Sequence, residues 1–149
     1  MKLSPSRDQI SILLEYYQSG RSDEAEKLAK SLTTAFPDHQ FSWKVLGILY
    51  KQSGRHSEAL SACQTAISLS PDDAEAHNNL GSTLQELDRL DEATISLRKA
   101  VALNSEFVEA HYNLGITLQE LGRFEEAEVA FRKALTLRPN YTECHNNLG

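Results

Sequence analysis

Cysteine is scarce in this chain of 149 residues, which holds only Cys63 and Cys144. Two cysteines are too few for a disulfide scaffold, and neither belongs to a Cys-x-x-Cys pair of the kind that binds zinc or changes redox state. We therefore expect a protein of a reducing compartment, with a cytoplasmic location.

Long hydrophobic runs are missing as well. No stretch approaches the roughly 20 apolar residues that span a bilayer. Residues 1–20 contain no uncharged apolar run of signal-peptide length. The sequence thus predicts a chain without a membrane partner.

Positive charge is also in short supply. The 15 Lys and Arg residues face 21 Asp and Glu residues, and the resulting net charge of −6 disfavours nucleic acid as a ligand. The imbalance falls in the second half, where residues 74–149 hold 7 basic and 12 acidic side chains. We expect an acidic surface there, which favours a basic partner.

The motifs of catalysis are lacking too. We find no nucleophile paired with a base, no phosphate-binding loop and no metal cluster. His77, His111 and His145 recur every 34 residues. Equivalent helices of adjacent repeats lie about 8–10 Å apart, too far for adjacent histidines to share a zinc ion that sits ~2.0–2.1 Å from each nitrogen. We expect these histidines to pack with a polar tip, and we predict no metal, no cofactor and no enzymatic activity.

What the chain does contain is internal repetition. The segment Ala-His-Asn-Asn-Leu-Gly at 76–81 returns in similar form at 110–115 and at 144–149. The period of 34 residues is typical of helical repeat arrays. We predict one array over residues 1–149, made of four repeats and a truncated fifth. Its boundaries are 6–39, 40–73, 74–107, 108–141 and 142–149.

Each repeat encodes two helices, so the predicted fold class is all-α. Apolar side chains in 74–87 recur at intervals of three and four residues, which places one apolar stripe on a polar helix. A glycine, or Asp88 in the third repeat, separates the two helices and suits a helix end that closes with a left-handed residue. The residues predicted to cap the first helices are Asp38, Asp72, Glu106 and Asn140.

A second glycine stands inside the first helix, at the eighth position of the repeat. Glycine costs about 1 kcal/mol relative to alanine in a helix interior, so its recurrence needs a structural reason. We expect close approach of the second helix, with Ala59, Ala93 and Ala127 as the small residues that face it. The glycines are Gly47, Gly81, Gly115 and Gly149.

The order of a large residue, Leu-Gly, an aromatic residue, two alanines and a proline resembles the tetratricopeptide repeat. The residues that carry this resemblance in the second repeat are Trp43, Leu46, Gly47, Tyr50, Ala59, Ala66 and Pro71. The resemblance implies a right-handed α-solenoid of stacked helix pairs, whose first helices line a concave groove. The sequence departs from the pattern at Leu13, Cys63 and Ser105.

We expect function on the groove, because a second stripe of each first helix lies beside the buried one. In the third to fifth repeats this stripe is mostly polar and acidic: Glu75, Asn79, Ser82, Glu86, Glu109, Tyr112, Asn113, Ile116, Glu120 and Asn147. In the second repeat the stripe consists of Phe41, Val45, Ile48 and Gln52, with Lys44 and Lys51 close by, so this end of the groove is apolar and basic.

Asn79, Asn113 and Asn147 share one mid-helix position, although asparagine is a poor helix former. One interpretation is a row of amides that offers donors and acceptors to the backbone of an extended peptide. The other is that the amides bond to neighbouring helices or to water. The row resembles that of the repeat region of O-linked N-acetylglucosamine transferases, whose groove asparagines hold substrate chains, and this resemblance implies peptide contacts at the three residues.

The sequence therefore predicts a non-catalytic scaffold that binds an extended, basic peptide or partner segment. A C-terminal carboxylate is a poor ligand, since Glu109 stands where the cochaperone members of this family have lysine. One alternative is the substrate-recruiting N-terminal repeat region of a larger glycosyltransferase- or sulfotransferase-type enzyme. A second is a self-assembly module, because an uncapped last helix leaves apolar surface that another copy can cover.

Overall fold

The computed structural model describes residues 3–148 of the chain, so Gly149 lies outside the described residues. Residues 3–148 form nine helices joined by short turns, with no strand among them, which confirms the all-α prediction. None of these helices is long and apolar enough to cross a membrane. The helices are α1 (Arg7–Gln18), α2 (Ser22–Ala35), α3 (Gln40–Gln52), α4 (His56–Leu69), α5 (Ala74–Glu86), α6 (Leu90–Leu103), α7 (Val108–Glu120), α8 (Phe124–Leu137) and α9 (Thr142–Leu148).

The helices divide into two compact units at the bond between Pro71 and Asp72. Unit 1 holds α1 to α4, and unit 2 holds α5 to α9. The division falls close to the predicted boundary between the second and third repeats. The organisation of the whole chain as one repeat array stays a prediction.

Each unit has its own apolar core, formed by the stripes that the sequence places on its helices. In unit 1, Leu13, Leu32 and Leu46 are buried. In unit 2, Phe131 and Cys144 are buried together, and the Cys144 thiol donates a hydrogen bond of 3.2 Å to the Phe131 carbonyl. Burial raises the pKa of the Cys144 thiol, which keeps it in its neutral form.

The two helices of a repeat are joined by a residue in the left-handed region, as predicted. The φ angle is 75° at Gly20, 78° at Gly54 and 75° at Gly122. Asp88 adopts the same conformation, with a φ of 58°. This conformation is sterically unfavourable for any residue that has a Cβ atom. The third repeat therefore carries backbone strain that the other three avoid.

An arginine follows each of these turn residues, a recurrence that sequence reasoning missed. Each arginine forms an ion pair with a glutamate of its own unit: Arg21 with Glu24, Arg55 with Glu26, Arg89 with Glu92, and Arg123 with Glu126. The Arg55 guanidinium and the Lys30 ammonium together lower the pKa of Glu26 to about 2. Glu26 thus stays ionised wherever unit 1 is folded at ordinary pH.

Three of the predicted caps of the first helices, Asp38, Asp72 and Glu106, are wrong by one residue. The observed N-cap residues are His39 for α3, Asp73 for α5 and Phe107 for α7. Asp38 and Glu106 lie instead inside β-turns, because the amides of His39 and Phe107 donate to carbonyls three residues earlier. Among these three N-caps only the Asp73 carboxylate caps its helix, accepting hydrogen bonds from two backbone amides.

The glycines inside the first helices do allow close approach of the second helix, but the predicted alanines are not the main neighbours. A Cβ atom placed on Gly81 would lie 2.5 Å from Leu97 Cγ, and one on Gly115 would lie 2.6 Å from the Phe131 ring. On Gly47 it would meet Cys63 Sγ at 3.0 Å. The residue that faces the glycine thus lies one helical turn beyond the predicted alanine.

Asp88→Gly is expected to raise the free energy of unfolding by up to about 1 kcal/mol, because glycine adopts a positive φ without steric cost. The reverse change at the equivalent position, Gly122→Asp, should lower it by a similar amount. Denaturant unfolding of both variants measures the two shifts. An unchanged or lower midpoint for Asp88→Gly would contradict the interpretation of strain at this turn.

Gly115→Ala is expected to destabilise by about 1–3 kcal/mol, because the added methyl group would overlap the Phe131 ring. Gly47→Ala is the matched control, since the smaller Cys63 side chain needs to move only slightly and alanine favours the helix. In thermal and denaturant unfolding, the Gly47→Ala variant should be clearly more stable than the Gly115→Ala variant. Equal stabilities would show that the glycine is not kept for close helix packing.

Candidate functional site

The predicted groove residues of unit 2 lie on its first helices α5, α7 and α9, and we call the surface that they share the first-helix face. Its carboxylates Glu75, Glu86, Glu109 and Glu120 are exposed. The remaining predicted residues are half-buried: Asn79, Ser82, Tyr112, Asn113, Ile116 and Asn147. The face therefore places charges outermost and amides beneath them.

Two of the three asparagines bond to the preceding first helix. Asn113 Nδ2 donates to Asn78 Oδ1 at 3.0 Å, and Asn147 Nδ2 donates to the Tyr112 hydroxyl at 3.2 Å. Both bonds join residues 35 positions apart, so each links one repeat to the next. These contacts agree with the interpretation that the amides bond to neighbouring helices. The contact of the row with a peptide stays a prediction.

Each of these bonds occupies only part of an amide. An asparagine side chain offers two donor hydrogens and an oxygen with two lone pairs. Within residues 3–148, Asn113 Oδ1 has no hydrogen-bond partner. The Nδ2 atom of Asn79 is buried, also without a partner among the described residues. The asparagine row is thus held by hydrogen bonds within the protein, and it still has donor and acceptor atoms that are not used.

The acidic rim of the first-helix face is partly compensated. Glu109 forms an ion pair with Arg138 at 2.8 Å, in which both side chains are about half exposed. Glu120 accepts a longer hydrogen bond, 3.4 Å, from Gln85 Nε2 on the neighbouring helix. Since Gln85 is neutral, the negative charge of Glu120 is retained.

An aromatic cluster closes the α9 end of this face. The Tyr112 and Tyr141 rings lie 4.9 Å apart, and the Arg138 guanidinium lies 5.1 Å from the centre of the Tyr141 ring. Burial, followed by the proximity of Tyr112 and Glu109, raises the pKa of Tyr141. The Tyr141 hydroxyl therefore remains a neutral hydrogen-bonding group.

The apolar and basic part of the predicted groove belongs to unit 1. Phe41 packs against the core of that unit and contacts His39 edge to face, with ring centres 6.4 Å apart. Lys44, Ile48 and Lys51 are half-buried. Each of these four side chains is partly packed against its unit and partly exposed on the surface. Their role in binding stays a prediction.

The predicted histidine row has a structural task in unit 2. His111 Nε2 bonds to the Ser105 carbonyl at 2.9 Å, and His145 Nε2 bonds to the Pro139 carbonyl at 2.7 Å. Because a carbonyl only accepts, each Nε2 carries the proton and donates. Across residues 3–148 no group of three His, Cys, Asp or Glu side chains is arranged to hold a metal ion. His111 thus ties α7, and His145 ties α9, to the turn before it.

Sequence reasoning missed three residues of the first-helix face. Asn78 and Gln85 bond across to α7, and Arg138 forms the ion pair with Glu109. A search for polar pairs 35 residues apart would have found the first two, since Asn78 and Asn113 differ by one repeat plus one residue. Arg138 carries no such periodic signal.

Comparison with protein families gives matches to tetratricopeptide repeat models. One model, described as tetratricopeptide repeat, matches residues 108–141. A second, described as TPR repeat, matches 47–88 and 84–122. The matches reach into both units, and the match over 108–141 coincides with the helix pair α7 and α8.

Solved structures with the same fold include MamA, which is 26% identical with a TM-score of 0.82 over 89% of this chain and 78% of that one. The first TPR of Spaghetti (RPAP3), bound to the HSP90 peptide SRMEEVD, is 27% identical with a TM-score of 0.72 over 73% of this chain and 86% of that one. PilF of Pseudomonas aeruginosa is 22% identical, with a TM-score of 0.85 over 94% of this chain and 64% of that one.

Comparison with curated proteins gives no match. The fold class is an all-α solenoid of helix pairs, a class typical of non-catalytic scaffolds for protein interaction.

The Asn78 to Asn113 hydrogen bond predicts a measurable coupling between two helices. Asn113→Ala should cost about 1–3 kcal/mol, because it leaves the buried Asn78 oxygen without a donor. The Asn78→Ala and Asn113→Ala pair should therefore be non-additive by about 1 kcal/mol in a double-mutant cycle. Asn146→Ala, at the exposed equivalent of Asn78 in α9, is the control and should change stability by less than about 0.5 kcal/mol. Additive effects would exclude this bond as a brace between repeats.

Proposed function

Because the chain belongs to the tetratricopeptide repeat family, we propose that the first-helix face of unit 2 binds an extended, basic segment of a partner protein. The chain would act as a non-catalytic scaffold that recruits this segment. The proposal goes beyond the general role of such repeats in protein interaction, since it assigns the face, the conformation of the ligand and its charge.

The observation that carries the proposal is the braced amide at the centre of the face. Asn78 fixes one N–H of the Asn113 side chain, so little rotational freedom remains to be lost on binding. The free Oδ1 can accept a hydrogen bond from a peptide N–H, and the second Nδ2 hydrogen can donate to a peptide carbonyl. An amide of this kind can bind the backbone of a peptide, so the ligand needs no particular side chain at this point.

The charge of the ligand follows from the rim. Four exposed carboxylates surround the amides, and one of them, Glu109, is neutralised by an arginine. Residues 74–149 as a whole carry five more acidic than basic side chains. Coulomb attraction therefore favours lysine and arginine side chains in the ligand and accelerates their encounter with the face.

The peptide in the Spaghetti (RPAP3) structure, SRMEEVD, is acidic at its end. The first-helix face of this chain presents Glu86 and Glu120, which repel carboxylates. We propose that this chain selects the opposite charge with the same fold.

The test is a titration of isotope-labelled protein with a short peptide of alternating lysine and serine, monitored at the backbone amides of α5 and α7. We expect saturable shifts there, and weaker binding of SRMEEVD at the same amides. The double variant Glu86→Gln with Glu120→Gln should weaken lysine–serine binding about 3- to 10-fold at low salt. Asn113→Ala should weaken it further.

The matched control is Asp91→Asn with Glu125→Gln, which removes two exposed carboxylates from the second helices α6 and α8. This control should leave the affinity at α5 and α7 unchanged. An equal loss in both double variants would mean that only net charge matters and would refute a site on the first-helix face. Tighter binding of SRMEEVD at these amides would refute the proposed charge preference.

A further inference from the structure

Unit 2 has a second concave surface, on the side of its second helices. Side chains of α6 and α8 form its walls and side chains of α7 form its floor, and it encloses about 420 Å³. We call it the second-helix groove. Its volume falls within the roughly 300–1,000 Å³ of sites that hold ligands.

The groove is apolar where the three helices meet. Leu114 and Leu118 form the floor, and Val101 and Val129 stand on the two walls. Val129 is 69% exposed, although valine is most often buried in folded proteins. An aliphatic side chain that entered the groove would cover Val129, and the apolar surfaces of the two side chains would be removed from water.

The charged residues of the groove are predominantly basic. Arg98 on α6 bonds to Glu126 on α8 at 2.6 Å, and Arg123 bonds to the same carboxylate. The two guanidinium groups, Arg123 foremost, lower the pKa of Glu126, so one carboxylate is shared by two cations. Lys133 also lines the groove and forms no ion pair within residues 3–148.

We propose that the second-helix groove binds an acidic segment of a partner protein that carries an aliphatic side chain. The aliphatic side chain would occupy the space between Val101 and Val129, and a neighbouring carboxylate would pair with Lys133. The partner differs in charge from the ligand of the first-helix face, so the two faces of unit 2 would recruit different segments.

These features belong to unit 2 and are not a property of every repeat. A shift of 68 residues places Ser61 at the position of Val129 and Thr65 at the position of Lys133. The same shift places Tyr50 at the position of Leu118. The exposed valine and the unpaired lysine are thus both absent from the corresponding positions of α4.

The experiment uses the isotope-labelled chain and two short, terminally blocked peptides, one of alternating glutamate and leucine and one of alternating lysine and leucine. We expect the glutamate–leucine peptide to shift the amides of α6 and α8 around Val129. Val129→Ser should weaken this binding about fivefold, because the valine loses its apolar contact. Lys133→Glu should weaken it about tenfold and favour the lysine–leucine peptide.

The chain offers a matched control for each variant. Ile95 occupies the same repeat position as Val129 and is 70% exposed, but it does not line the groove, so Ile95→Ser should leave binding unchanged. Lys99 lies outside the groove, and Lys99→Glu makes the same change of charge as Lys133→Glu. Lys99→Glu should therefore weaken the binding of the glutamate–leucine peptide less. Melting curves establish that all four variants are folded.

Three outcomes would overturn the proposal. The first is tighter binding of the lysine–leucine peptide to α6 and α8 of the unaltered chain. The second is an equal effect of Val129→Ser and Ile95→Ser. The third is a response to the glutamate–leucine peptide confined to α5 and α7. None of these outcomes bears on the lysine–serine peptide, so the site on the first-helix face is tested separately.

Discussion

The helix pairs α5–α6 and α7–α8 depend on a missing side chain. At Gly81 and Gly115 a single Cβ atom would overlap the second helix of the same repeat. The glycine lowers helix propensity locally, and the contact that it permits brings Leu97 or Phe131 fully into the core. Because the two helices are held this closely, the side chains of the opposite face of the first helix are fixed in position.

Fixed first helices are what make a row of polar groups useful for recognition. In α7 and in α9 a histidine ties the helix to its preceding turn, and an asparagine ties it to the previous first helix. Both kinds of bond satisfy polar groups that would otherwise lose their hydrogen bonds to water. The face is therefore rigid before any ligand arrives, which reduces the entropy lost on binding.

Periodicity alone predicted the helices and their left-handed turns, because each of these features depends on residues within a few positions of one another. Periodicity did not predict the contacts whose partners are determined by three-dimensional packing. The neighbour of Gly115 is Phe131 and not Ala127, since the helices cross one turn further along than expected. Asn113 meets Asn78, a contact offset by one residue from the repeat period. A period identifies equivalent positions, whereas contacts between repeats join positions that are not equivalent.

The pairing of each glycine with a residue of its own second helix has a consequence for how such chains diversify. Cys63, Leu97 and Phe131 differ greatly in volume, yet each faces a glycine sixteen residues earlier in the same repeat. A duplication of a complete repeat copies both members of the pair and preserves their fit. Recombination inside a repeat would separate them and combine a helix with a neighbour of the wrong size. Whole repeats are thus the natural units of exchange in the evolution of this chain.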